Sequence, residues 1–147
     1  KYKRSYSSKV NDTIDCLVMG YDFGKGKRTD FGMGAFLVGV REEKNDKFVT
    51  VAKIGTGLTD EEWRFLKIKS QISKLKDKPM NYSVDKAMNC DVWISPAIVV
   101  EIRADEITKS PTHTAGLALR FPRLEKFRDD KKPDDVTTLE ELKGLSL

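Results

Sequence analysis

Apolar residues in the first third of the chain come in short bursts separated by polar or glycine-rich turns. Residues 12–21 alternate, with Ile14, Cys16 and Val18 on one side and Asp15 interrupting the other. A period of two predicts a strand. Residues 34–40, carrying Phe36, Leu37, Val38 and Val40, predict a second, and residues 48–54 a third after a polar turn over 42–46. Gly24-Lys25-Gly26-Lys27-Arg28 is a glycine-punctuated basic turn between the first two. The meander stops at Gly55-Thr56-Gly57.

The period then changes to that of a helix. Thr59 with Glu62 forms a capping-box pattern ahead of Phe65, Ile68, Ile72 and Leu75 at helical spacing, which is the face expected to enter the core. Lys67, Lys74 and Lys78 fall on the opposite, wet side, and Pro79 prevents continuation. A loop holding Trp93 and Pro96 leads to a fourth strand over 98–104. Pro111 marks a turn, and Leu117-Ala118-Leu119 starts a fifth strand that Pro122 ends. The remainder is polar until Thr138 and Glu141 offer a second capping box, for a short helix with Leu139, Leu142 and Leu145. Three strands, a helix and two strands predict a mainly β fold. The order is that expected of a five-stranded Greek-key OB-fold barrel, with the helix between strands 3 and 4 and a short C-terminal helix, and other small β-barrels share much of it. Such barrels present one sheet face and its loops to oligonucleotides. Trp63 and Trp93 are expected as partly buried packing residues, and His113, in a loop between threonines, is not expected to be catalytic.

Composition narrows the class without choosing a function. The 147 residues suit one domain with a real core, 39% of them hydrophobic and 34% charged. No apolar run is long enough to span a bilayer, and no membrane partner is expected. The net charge of +4 is modest, so placement of the cations matters more than their number. Cys16 and Cys90 lie in apolar stretches and read as reduced thiols of a cytoplasmic protein. With His113 the sole histidine, no zinc site and no other metal ligand set is expected. The chain opens on Lys1-Tyr2-Lys3-Arg4 without a methionine, as an excised domain would.

The richest chemistry is in the tail. Leu119-Arg120-Phe121-Pro122-Arg123 sets a ring between two guanidiniums beside a proline, and Arg128-Asp129-Asp130-Lys131 adds a second cationic set. A planar guanidinium donates paired hydrogen bonds to phosphate and stays charged at physiological pH. Alternation would send Phe121 into the core with Leu117 and Leu119, whereas Pro122 and the flanking arginines favour an exposed wedge. Pattern leaves the two evenly matched. Arg128, Asp130 and Lys131 likewise read either as a polyphosphate site or as a solvated charge run.

These segments together resemble the C-terminal OB domain of ATP-dependent DNA ligases of the archaeal and eukaryotic replicative type. Asp12-Thr13-Ile14-Asp15 leading to the basic turn is similar to that family's opening, and residues 53–62 to its K-x-GTG-x-x-DEE stretch. Asp91-Val92-Trp93-Ile94, Pro96, Val100-Glu101-Ile102 and Ser110-Pro111 follow in the family's order. Residues 119–123 and 128–131 resemble its motif VI, written RFPR and RxDK, and Pro133 with Thr137-Thr138 continues the run. Lys1-Tyr2-Lys3 resembles the end of motif V. Tyr2, Val100, Leu124 and Val136 depart from the usual residues, and none of them is a charged group.

The resemblance implies a division at residue 10. Residues 1–10 would be the end of an adenylation domain and hinge, and residues 11–147 the OB domain with motif VI. It implies catalytic orientation of leaving pyrophosphate by Arg128, Asp130 and Lys131, and nucleotide contacts from Lys1 and Lys3. It implies DNA contacts from Lys25, Lys27, Arg28, Arg120, Phe121 and Arg123 in the minor groove of a nicked duplex. ATP and Mg2+ would serve the full-length enzyme, with neither bound by this domain alone. Partners would be nicked double-stranded DNA, the adenylation and DNA-binding domains of the same ligase, and a sliding clamp reached through other domains. The setting would be replication and repair in a nucleoid-associated, cytoplasmic enzyme. No KxDG nucleophile motif occurs in the chain, so the isolated domain is expected to be inactive. The rival readings are a stand-alone single-strand-binding OB domain, which stacks bases on aromatics across its sheet, and the OB domain of a capping enzyme.

Overall fold

The computed structural model describes residues 7–9, 13–24, 34–55 and 57–145. Its strands are β1 (Ser7–Lys9), β2 (Ile14–Asp22), β3 (Ala35–Glu42), β4 (Lys47–Ile54), β5 (Lys74–Leu75), β6 (Tyr82–Ser83), β7 (Val92–Ile94), β8 (Val99–Arg103), β9 (Glu106–Lys109), β10 (Leu117–Arg120) and β11 (Arg123–Phe127). Helix α1 (Asp60–Ile72) follows β4, and α2 (Leu139–Leu145) closes the described chain. The five strands expected from the pattern are β2, β3, β4, β8 and β10; six others join them among the described residues.

One curled sheet runs β11-β8-β2-β3-β4-β6, and β1-β9-β10 forms a second. The curl has local causes. Register shifts between Val18 and Gly20 on β2, and between Val38 and Gly39 on β3, bend the long strands. At Gly39 a Cβ would lie 2.4 Å from the Val49 carbonyl oxygen, so only glycine lets β4 approach this closely. The hairpin of β9 and β10 then folds across β4. The Ala115 amide donates to the Thr50 carbonyl at 3.2 Å, and Thr50 and Thr114 exchange backbone-to-hydroxyl bonds of 2.8 and 3.0 Å. A buried threonine with its polar atoms paired is a seam rather than a defect.

Strand β2 is buried on both sides. Ile14, Cys16 and Val18 face the main core, with Phe36, Val38, Val51, Val100 and Ile102. Leu17 and Met19 face a smaller cluster with Leu37, Phe48, Tyr82 and Val99. Both capping boxes form: Thr59 Oγ1 accepts from the Glu62 amide while Glu62 Oε1 accepts from the Thr59 amide, and Thr138 pairs with Glu141 in the same way. Trp93 falls in β7 rather than a loop, half-buried and 6.5 Å from Tyr82.

Helix α1 corrects the sequence expectation. Its inner side is Trp63, Leu66 and Ser70, while Phe65, Ile68 and Ile72 are 37%, 61% and 82% exposed. The two stripes lie two residues apart, about 200° around the axis, so only one can face inward. Trp63 decides the matter, packing edge-on against Phe36 at 6.0 Å and nearly wholly buried. Removing ~200 Å² of indole from water is worth about 5 kcal/mol, more than one aliphatic residue offers. Phe65 is turned toward β11 and meets Phe127 at 4.6 Å. Among the described residues no helix is long and apolar enough to cross a membrane.

Candidate nucleic-acid interface

Strand β11 carries the tail chemistry, with one group of side chains at each end. At its start, the β10–β11 turn places Phe121 at φ 55°, a left-handed conformation that a bulky residue rarely adopts. That twist takes the ring off the alternation of β10, so Leu119 stays buried while Phe121 is 61% exposed. The evenly matched alternatives are thereby resolved: Phe121 is not a core residue. The Arg120 guanidinium lies 5.4 Å from the ring centroid, and Arg123 donates to the Phe121 carbonyl at 3.1 Å. Arg123 also pairs with Asp105 at 3.0 Å, and the Asp105 amide donates to the Arg120 carbonyl. Phe121 thus combines an unfavourable backbone conformation with an exposed ring, a pairing found at functional sites.

At the far end of β11 the chain turns through Arg128–Lys131, with the Arg128 amide donating to the Val99 carbonyl at 2.8 Å. Arg128 Nε and Nη2 chelate Asp130, both at 3.0 Å. Its Nη1 donates to Glu101 at 2.9 Å and to Asp15 at 3.4 Å. Lys131 Nζ sits 2.6 Å from the second Asp15 oxygen, and Asp129 is held by Lys69 at 2.8 Å. The Asp130 chelate pushes Arg128 still further above the usual guanidinium range, and Arg128 in turn holds the Asp130 carboxyl down to about 2. Both partners of that chelate are therefore ionised at physiological pH.

The structure thus brings Arg128, Asp130 and Lys131 together, and separately Arg120, Phe121 and Arg123. Asp15 and Glu101 were not singled out in advance. Their signal is a charge inside an otherwise apolar strand, and their partnership depends on pairing between β2 and β8. Lys1, Lys3, Lys25, Lys27 and Arg28 lie outside the described residues. Among the described residues no group of His, Cys, Asp or Glu is set to hold a metal ion. Cys16 and Cys90 are free thiols, and burial pushes the Cys90 thiol up to about 12. His113 accepts or donates at Ser110 Oγ, 2.6 Å away, and burial lowers its pKa, in keeping with a loop anchor.

The family described as "ATP dependent DNA ligase C terminal region" matches residues 29–131. The probable DNA ligase of Dictyoglomus turgidum is 51% identical over 97% of this chain and 25% of its own length. The DNA ligase of Thermoplasma volcanium is 44% identical over 97% of the chain and 25% of its length. This chain therefore spans about a quarter of the length of the curated relatives it matches. The crystal structure of the ligase domain of M. tuberculosis LigD superposes with a TM-score of 0.63 at 24% identity, covering 86% of this chain and 38% of that one. That likeness shows the fold, and the sequence matches lead to one assignment. The chain belongs to the family of C-terminal regions of ATP-dependent DNA ligases.

Proposed function

We propose that this chain is the OB domain of an ATP-dependent DNA ligase that uses the two ends of β11 for two different steps of nick sealing. The observation that carries this reading is the exposed, backbone-strained Phe121 between Arg120 and Arg123, set apart from the Arg128 cluster by the length of one strand. A rigid apolar ring between cations suits insertion beside a sugar–phosphate backbone. Unstacking there costs roughly a few kcal/mol, offset by contacts with the deformed duplex. Arg123, fixed by Asp105 and the Phe121 carbonyl, and Arg120, lying over the ring, would orient that wedge. Lys25, Lys27 and Arg28 would add backbone grip.

Arg128 and Lys131 offer the donor types that polyphosphate needs, and Asp130 keeps the guanidinium plane oriented. ATP is the substrate that supplies the adenylyl group and leaves pyrophosphate, and these cations would align its phosphates and take up charge as the bond breaks. Lys1 and Lys3 would contact the nucleotide from the preceding domain, and residue 10 would close the hinge. Mg2+ would belong to the full enzyme, with no residue of this chain assigned to it. The isolated domain would be inactive, because the lysine that carries AMP lies in another domain. Nicked duplex, the adenylation and DNA-binding domains, and a clamp bound elsewhere are the partners of this nucleoid-associated, cytoplasmic enzyme.

The stand-alone single-strand-binding reading needs aromatics spread across the sheet, and among the described residues the strand aromatics Phe36, Phe48 and Tyr82 are buried. The test uses the full-length ligase. Arg128→Ala should slow self-adenylation about 10²-fold, the usual cost of one preorganised donor, and should affect joining of a pre-adenylated nick much less. Phe121→Ala should do the reverse. Equal losses in both steps would sink the two-ended reading. Lys27→Ala with Arg28→Ala should flatten the salt slope of DNA binding by about one to two units, and an unchanged slope would remove that turn from the interface.

A further inference from the structure

Asp15 and Glu101 face each other directly across the β2–β8 pair, both largely buried at 15% and 17% side-chain exposure. Two carboxylates in that register repel one another, and a sheet does not gain by placing them there. What compensates them is Arg128 Nη1, bonded to both, and Lys131 Nζ on the outer Asp15 oxygen. With Asp130 on the remaining side, carboxylates engage four of the five guanidinium N–H groups. Three carboxylates thus engage Arg128 and Lys131, and neither cation stands open to a polyphosphate.

The acids differ in what they are fixed to. Asp130 is two residues from Arg128 and mostly exposed, so it can move with the guanidinium as a chelated pair. Asp15 and Glu101 belong to the barrel. The Asp15 backbone lies in register with Glu101 on one side and is tied to Thr137 on the other, its amide donating to Thr137 Oγ1 at 3.1 Å and its carbonyl accepting from the Thr137 amide at 2.9 Å. They would stay with the barrel if the Arg128–Lys131 segment turned outward.

We propose that Asp15 and Glu101 are positioning residues that set the affinity of the Arg128–Lys131 segment for nucleotide. They occupy the two cations as an internal substitute for phosphate, and the nucleotide's β- and γ-phosphates have to displace them. Release uncovers a repelling acid pair, so the acids raise the nucleotide concentration needed while keeping the segment folded and its arginine in a single rotamer. Binding to a state that is only fractionally populated weakens affinity by that fraction. This inference rests on the reading of Arg128 and Lys131 as phosphate ligands, and its test separates the two.

The experiment measures single-turnover self-adenylation of the full-length ligase against ATP concentration. Asp15→Asn and, independently, Glu101→Gln should lower the half-saturating ATP concentration by about three- to tenfold, with a smaller change in the maximal rate. Asp15→Glu, which restores the charge, should return it toward the parent value. In an Arg128→Ala, Lys131→Ala background, Asp15→Asn should have no effect, because its action runs through those cations. Thermal melting identifies any variant that fails to fold, and Glu101→Gln then carries the test in place of Asp15→Asn. A half-saturating concentration that stays the same or rises in a folded variant overturns the proposal, as does an equal effect in the cation-free background. Unchanged self-adenylation in Arg128→Ala defeats the phosphate-ligand reading instead.

Discussion

Phe121→Gly is expected to leave the stability of the domain almost unchanged, an unusual outcome for deleting a whole phenyl ring. Three contributions nearly cancel. A non-glycine residue at φ 55° carries about 1–2 kcal/mol of strain, which glycine relieves. Glycine's freedom in the unfolded chain takes back about 0.5–1 kcal/mol. Loss of the Arg120 guanidinium over the ring, 5.4 Å from its centroid at an exposed site, removes about 0.5–1 kcal/mol more. With the ring 61% exposed, little apolar transfer is at stake, and the net change stays within about 1 kcal/mol. Phe121→Ala keeps the strained backbone and loses the ring, so it should be no more stable than the glycine variant. Urea unfolding of the 147-residue chain, followed by fluorescence of Trp63 and Trp93, measures both, with an unchanged m-value certifying the comparison. A loss above about 2.5 kcal/mol for Phe121→Gly would refute the reasoning, since that approaches the cost of emptying a core phenylalanine site. An alanine variant clearly more stable than the glycine variant would refute the left-handed backbone.

The inner side of α1 can be tested by contrast: Leu66→Ala should cost about 2–5 kcal/mol, whereas Ile72→Lys should stay within about 0.5 kcal/mol in the same unfolding assay. Gly39→Ala should destabilise by about 1–3 kcal/mol, because its Cβ would sit 2.4 Å from the Val49 carbonyl and 2.6 Å from Met19 Sδ. Gly144→Ala, at a helical position with nothing within 4 Å of the added carbon, should instead raise the melting temperature, by about 0.5–1 kcal/mol of stability. Cys90, whose thiol is pushed up to about 12, should have roughly 10⁻⁴ of its population as thiolate at pH 8. Mass spectrometry after iodoacetamide treatment should show it protected in the folded chain and labelled in urea; fast native labelling would contradict its burial.

Local features were legible in the amino-acid order, and pairings distant in sequence were not. β2, β3, β4 and β8 each follow from a run of apolar residues, and both capping boxes from a threonine three residues ahead of a glutamate. β11 was hidden because only Leu124 and Phe127 are apolar among five residues, and its partner β8 supplies the hydrogen bonds that make it a strand. The face of α1 was misread because both stripes are apolar, and only contact with Phe36 shows which is inner. Asp15 was visible as an interruption of a strand, but its meaning lies in a register with Glu101 that no local pattern contains.

That register also bears on how, on the proposed reading, one small domain would serve two phosphate ligands without confusing them. Five residues of β11 separate Phe121–Pro122 from Arg128, and at about 3.3 Å per residue the two ends stand roughly 17 Å apart. A hydrogen-bonded phosphate sits about 3 Å from its donor, so no single phosphate reaches both ends. Distance alone would still let the Arg128 end capture a neighbouring phosphate along a duplex, because a free guanidinium does not distinguish DNA from nucleotide. With Asp15, Glu101 and Asp130 in place, the cations of that end are already engaged by carboxylates, while at the other end Arg120 lies over the exposed ring and Arg123 pairs with Asp105. On the proposed reading, the acid pair therefore does two things with one arrangement. It sets a threshold that a concentrated triphosphate charge can cross, and it leaves the Phe121 end as the one that a DNA backbone meets.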